Sequence, residues 1–177
     1  MLRLRGAKYN PIPRVVHGTR TRTRGVVVHT IEGSHDGAVS WFNNPGAGGC
    51  GAHVVFGTRD EVTQLCDLNA VCWHAPGANY DCIGFEHEGY ASYSRAQWLQ
   101  PSRRTMLKRS ANRTAWVCWK YRLGRPRRKV NVFGHVDFPA GGHHDPGTGF
   151  PWKRYMHWAN VAYFVIKATN GKSWTKR

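Results

Sequence analysis

The chain has 177 residues, of which 41% are hydrophobic and 12% aromatic: enough for one buried core and too apolar for a disordered chain. No apolar run approaches the roughly 18 residues of a membrane span. Twenty-six Lys and Arg against ten Asp and Glu give a formal charge of +16, which attracts polyanions without choosing among nucleic acid, anionic lipid and anionic cell wall.

The segment 1–23 is basic and holds the turn formers Asn10-Pro11 and Pro13, so it reads as an arm packed on the domain or partly disordered. Met1-Leu2-Arg3-Leu4-Arg5 carries no apolar stretch behind it, so no secretory signal is expected and the chain reads as one made in a cytoplasm. Gly25-Val-Val-Val-His29-Thr30 predicts a buried strand. Asp36 reads as the N-cap of a short helix through Phe42, stopped by Asn44-Pro45. Ala52–Phe56 and Glu61–Leu65 read as a hairpin pair. Cys82–Glu88 alternates as a strand, with Ile83, Phe85 and His87 on one face and Gly84, Glu86 and Glu88 on the other.

Ser102–Arg122 reads as the long helix, its apolar face formed by Leu107, Ala111, Thr114, Cys118 and Tyr121. Val130–Val136 reads as a short strand, 138–150 as a Gly/Pro/His loop, and Trp152–Lys167 as the final helix after Pro151. The domain then spans 24–167, with a polar tail over 168–177. Alternating strands and helices predict a single α/β domain around a central mixed sheet. The five cysteines have no zinc-ribbon spacing and read mostly as small buried hydrophobes. A Cys66–Cys72 or Cys72–Cys82 bridge stays open.

All ten acids lie between Glu32 and Asp145, so each calls for a reason. His29 ends one strand, His135 ends another, and Asp145 follows ten residues later. Loops at strand ends are where α/β folds place their sites. Two imidazoles and a carboxylate are a ligand set for Zn²⁺ that leaves a position for water. Glu86 has the chemistry of a general base beside such a water, with Glu88 a rival on the same face.

The ordered segments Val-Val-Val-His29, Trp73-His74-Ala75, Ile83-Gly84-Phe85-Glu86-His87-Glu88-Gly89, Gly134-His135-Val136-Asp137 and Asp145-Pro146-Gly147 resemble those of the type-2 N-acetylmuramoyl-L-alanine amidases. That superfamily includes phage lysins, bacterial amidases and peptidoglycan recognition proteins. The resemblance runs from about Gly25 to about Ala162. It implies a zinc site at the strand ends with His29, His135 and Asp145 as ligands, Glu86 as catalytic acid/base, and Trp73 and His74 lining the substrate cleft. Many members carry a Lys two residues before the ligand Asp; His143 stands there, with His144 as the neighbouring alternative oxyanion donor. Ala52 matches a Tyr used by other members, which leaves Glu86 as the base, and His53 reads as structural.

The implied activity is zinc-dependent cleavage of the bond between N-acetylmuramic acid and L-alanine in peptidoglycan. The +16 charge and the missing signal favour a monomeric phage endolysin that waits in the host cytoplasm and acts on the wall after release. A recognition protein that binds without cutting is the alternative. A nucleic-acid binder is a weaker one, for no helix-turn-helix, RNA-binding or zinc-finger motif accompanies the charge.

Overall fold

The computed structural model describes residues 1–138, 140 and 142–172. Six strands form one sheet in the order β1-β4-β3-β5-β2-β6. They are β1 (Lys8–Tyr9), β2 (Gly25–Thr30), β3 (Val54–Phe56), β4 (Val62–Gln64), β5 (Cys82–His87) and β6 (Val132–Gly134). Only β3 and β4 pair antiparallel; β1–β4, β3–β5, β5–β2 and β2–β6 are parallel. The sheet is therefore mixed, and the carboxyl ends of its central strands share one rim. The helices are α1 (His35–Asn43), α2 (Arg95–Trp98), α3 (Pro101–Lys120) and α4 (Trp152–Ala168).

Residues alternate between the two faces of the sheet. Val26, Val28, Ile83 and Phe85 face α3 and α4, where they meet Leu107, Ala111, Cys118, Tyr155 and Ala159 in the main core. Val27, Cys82 and Phe133 face the opposite side, against Ala75 and Ala78. His29 shares the parity of Val27, and Glu86 that of Cys82. Because β2 and β5 run parallel with His29 opposite Glu86, both side chains leave the same face at the same rim.

Several boundaries differ from the sequence reading, each for a local reason. The segment 1–23 is more than an arm. It supplies β1, it buries Leu4, Ile12 and Val15, and its backbone is bonded to the sheet from Asn10 to the Gln64 carbonyl. The cap of α1 is Ser34, whose hydroxyl accepts from the Gly37 amide, so Asp36 lies inside the first turn instead. Helix α3 ends at Lys120 because Arg122 takes a left-handed φ of 57° and the Leu123 amide bonds back to the Cys118 carbonyl.

The strand expected over Val130–Val136 shrinks to Val132–Gly134. The Asp137 carboxylate accepts from the Gly134 amide and closes a 3₁₀ turn over His135–Asp137. In the tail reading 168–177, Ala168 belongs to α4, and 173–177 lie outside the described residues. Among the described residues no helix is long and apolar enough to cross a membrane.

Candidate metal centre and catalytic cleft

The ends of β2, β5 and β6 open into a cleft of about 790 Å³ lined by His29, Trp73, His74, Glu86, His135, His143, His144 and Asp145. The fold brings His29, His135 and Asp145 together, with donor atoms within 4.8 Å of one another. His29 Nδ1 lies 3.1 Å from Asp145 Oδ2, and His135 Nδ1 lies 3.0 Å from Asp145 Oδ1. Tetrahedral zinc with bonds near 2.0–2.1 Å has ligand-to-ligand edges of about 3.3 Å. The trio is thus spaced for a small tetrahedral cation.

The protons point the same way. The Cys82 carbonyl can only accept, so His74 Nε2, at 3.2 Å, carries the ring proton. His74 Nδ1 then accepts from His29 Nε2 at 3.0 Å, which puts the proton of a neutral His29 on Nε2. Burial holds the His29 pKa below its usual range, against the pull of Asp145. His29 Nδ1 is therefore a lone pair facing a carboxylate oxygen. Two acceptors in contact need a cation between them, and these residues fit zinc.

Burial alone would push the Asp145 carboxyl up; the hydrogen bond from His135 and the adjoining His29 imidazole outweigh it and hold the group well below the ordinary carboxylate range. The Thr30 amide adds a donor to Oδ2 at 3.3 Å.

Most of the other acids are accounted for by partners. Asp81 pairs with Arg24, Asp137 with Arg128, and Glu61 with Arg59. Glu88 accepts from Thr58 Oγ1 at 2.7 Å and from the His35 and Thr58 amides, so it is turned away from the cleft. Glu86 differs: its Oε2 is the one buried acid oxygen without a hydrogen-bond partner among the described residues. Burial, with Asp145 and Glu32 adding repulsion, raises its pKa well above the ordinary value. A carboxyl held toward its protonated form in a cleft is suited to taking up a proton and giving it back.

His74 lines the cleft but spends both ring nitrogens inward. Its backbone is fixed by Asn79, whose Oδ1 accepts from the His74 and Ala75 amides at 2.8 and 2.7 Å. The ring lies so close over β5 that a Cβ on Gly84 would sit 2.7 Å from His74 Cγ, which is why that strand carries glycine there. Trp73 is exposed and stacks on His17, ring centroids 3.6 Å apart, while His17 Nε2 bonds the Gly49 carbonyl at 2.8 Å.

His143 stacks on His135 at 3.9 Å with its Nδ1 4.0 Å from Asp145 Oδ1, and both His143 and His144 are exposed at the cleft edge. His53 is fully buried behind His74, ring centroids 5.7 Å apart, and does not line the cleft. Sequence reasoning missed His17 and Asn79. Nothing in their local pattern marks them, because each acts through a contact the fold makes.

Residues 19–148 match the family model described as N-acetylmuramoyl-L-alanine amidase. The chain is 30% identical over 172 residues to N-acetylmuramoyl-L-alanine amidase A of Achromobacter lyticus, covering 87% of this chain and 93% of that one. Among solved structures, a selenomethionine derivative of AmpD superposes with a TM-score of 0.68 at 21% identity, over 89% of this chain and 99% of that one. The hydrolase AmiA of Staphylococcus aureus superposes with a TM-score of 0.72 at 17% identity, over 95% and 87%. Fold, cleft and sequence agree, and the chain belongs to the N-acetylmuramoyl-L-alanine amidase family.

Proposed function

We propose that the chain is a zinc-dependent peptidoglycan amidase that cuts between N-acetylmuramic acid and L-alanine, and that it serves as a phage endolysin. The observation that carries the metal dependence is the lone pair of His29 held against Asp145 by the His74 relay. His29, His135 and Asp145 would hold the ion. Zinc bound there polarises the scissile carbonyl and makes a water more acidic.

The chain's own groups do the rest. Glu86 accepts the proton of the attacking water at Oε2 and returns it to the alanine nitrogen as the C–N bond breaks. Water and amide become a lactyl carboxylate and a free amine. His143, stacked beside the ligands, donates to the developing oxyanion. Trp73 gives the sugar–peptide junction an aromatic wall. His74 keeps the His29 proton on the nitrogen turned away from the ion.

The endolysin reading rests on the +16 charge, since a wall of anionic polymers concentrates a cationic hydrolase and an enzyme of cytoplasmic recycling needs no tether.

The test is digestion of purified sacculi with zinc, with chelator and with Glu86→Gln. Release of amino-terminal alanine that chelation and the substitution both abolish supports the reading. New reducing sugar ends overturn it. Retained binding without release turns the chain into a recognition protein.

A further inference from the structure

Outside the cleft, the fold brings Cys66 and Cys72 together. Both are buried, and their Sγ atoms are 2.9 Å apart. Beside them lies Arg20, only 7% exposed. Its guanidinium donates to the carbonyls of Cys82 and Leu68, its Nε has no partner, and no carboxylate pairs with it among the described residues. A buried cation surrounded by neutral acceptors lacks its counterion. Among the groups near it able to become anions, burial pushes the Tyr121 phenol and the Cys82 thiol up, which leaves Cys72. Hydrogen bonding from Cys66, helped by His53 and Arg20, pulls the Cys72 thiol below the ordinary range, while Cys66, as the donor, is pushed up.

His53 lies within reach of both sulfurs, so the trio also has the residue types of a metal site. The ring rules that out. His53 Nδ1 accepts from the Gly84 amide at 3.0 Å, so Nε2 carries the proton and donates to the Ala70 carbonyl at 2.9 Å. Neither nitrogen has a lone pair to give, and Arg20 Nη1 lies 3.2 Å from Nε2, where its charge repels a metal ion.

We propose that Cys66 and Cys72 form a dithiol site that is oxidised by small-molecule disulfides and closes to an intramolecular disulfide. The bridge ties down the segment leading into Trp73 and His74. Cys66 borders a groove of about 400 Å³ between the N-terminal segment and residues 65–70, so the small disulfide meets it first. Cys66 passes the shared proton to Cys72 across the 2.9 Å contact and, as thiolate, attacks the small disulfide, forming a mixed disulfide and expelling one thiolate, which takes that proton from Cys72. The Cys72 thiolate then attacks the Cys66 sulfur and expels the second thiolate, which takes up a proton. One small disulfide is reduced to two thiols, and the protein gives up two hydrogens.

Closure removes the anion beside Arg20, which favours the reduced form and makes the bridge readily reducible. The site is thus a reversible clip that answers to the thiol–disulfide balance around the enzyme.

The test uses the full chain, reduced, freed of reductant and exposed to millimolar oxidised glutathione. Titratable thiols in the denatured protein are expected to fall from the five of the reduced chain to three. Intact mass should drop by two hydrogens. Chymotrypsin, cutting after Leu68, should leave the two cysteines in separate peptides held by one bridge, and dithiothreitol should reverse all of this. Cys72→Ser is expected to stop at glutathione bound to Cys66, and Cys118→Ser to close normally. Five thiols surviving the treatment overturn the proposal, as does a bridge from Cys72 to Cys82 instead. A second zinc per chain that shields both thiols from labelling also overturns it, in favour of a metal site. If Cys72→Ser does not fold, the peptide map of the unaltered chain decides alone.

Discussion

Each side chain at the rim is defined by where its protons go, and that is the level at which single substitutions are informative. Glu86→Gln keeps the shape and removes the proposed base, so activity on sacculi should fall by about 10²–10⁴-fold while zinc content is unchanged, read by elemental analysis beside the rate. His74→Phe leaves His29 free to flip its tautomer; zinc affinity should weaken by about 10–100-fold, measured by competition with a chromogenic chelator. His87 carries a pH signature. Burial pushes it down to about 4 from 6.5, in a site where Nδ1 bonds the His29 carbonyl and Nε2 bonds Ser110 Oγ. Between those two values the unfolded chain binds a proton that the native chain refuses, so stability should fall as pH drops from about 6.5 toward 4. The loss is about 3 kcal/mol for this group. Urea unfolding of the metal-free protein at pH 7 and pH 4.5 gives the slope, and His87→Gln should flatten it. The ligand and base candidates were legible in the sequence because they sit at the ends of readable strands in a chain poor in acids. The His74 relay was not, since it depends on a strand carbonyl and a glycine that only the fold brings beneath the ring.

At the scale of elements, β2, β5, α3 and α4 could be read because each repeats its pattern long enough to show a period. Strand β1 could not. Two residues have no alternation to display, and its place on the sheet comes from pairing with β4, more than fifty residues away in the chain. The cap of α1 was misplaced because Ser34 and Asp36 both qualify as caps, and only the geometry of the Gly37 amide separates them. The N-terminal segment invites a test of its own. Leu4 is 2% exposed in the main core, and its amide donates to Gln64 Oε1 at 2.7 Å. Leu4→Ala should therefore cost about 3 kcal/mol, seen as a lower midpoint in chemical denaturation; a loose arm would show almost no change.

For the molecule as a whole, the charge is uneven because most of the few acids are consumed in internal pairs, leaving the basic surface of 89–136 without counterions from its own stretch of chain. Binding to sacculi should weaken on the order of tenfold as salt rises from 50 to 300 mM, where screening falls to a few ångströms; co-sedimentation measures it. The placement of β6 beside β2 also bears on timing. His29 and Asp145 meet across 116 residues of chain. A ribosome adding about 5–20 residues per second leaves an interval of roughly 6–23 s in which the first of the two proposed ligands is already synthesised and the second is not. Through that interval the growing polypeptide has no complete centre, so the capacity to cut the wall arrives late in synthesis and all at once.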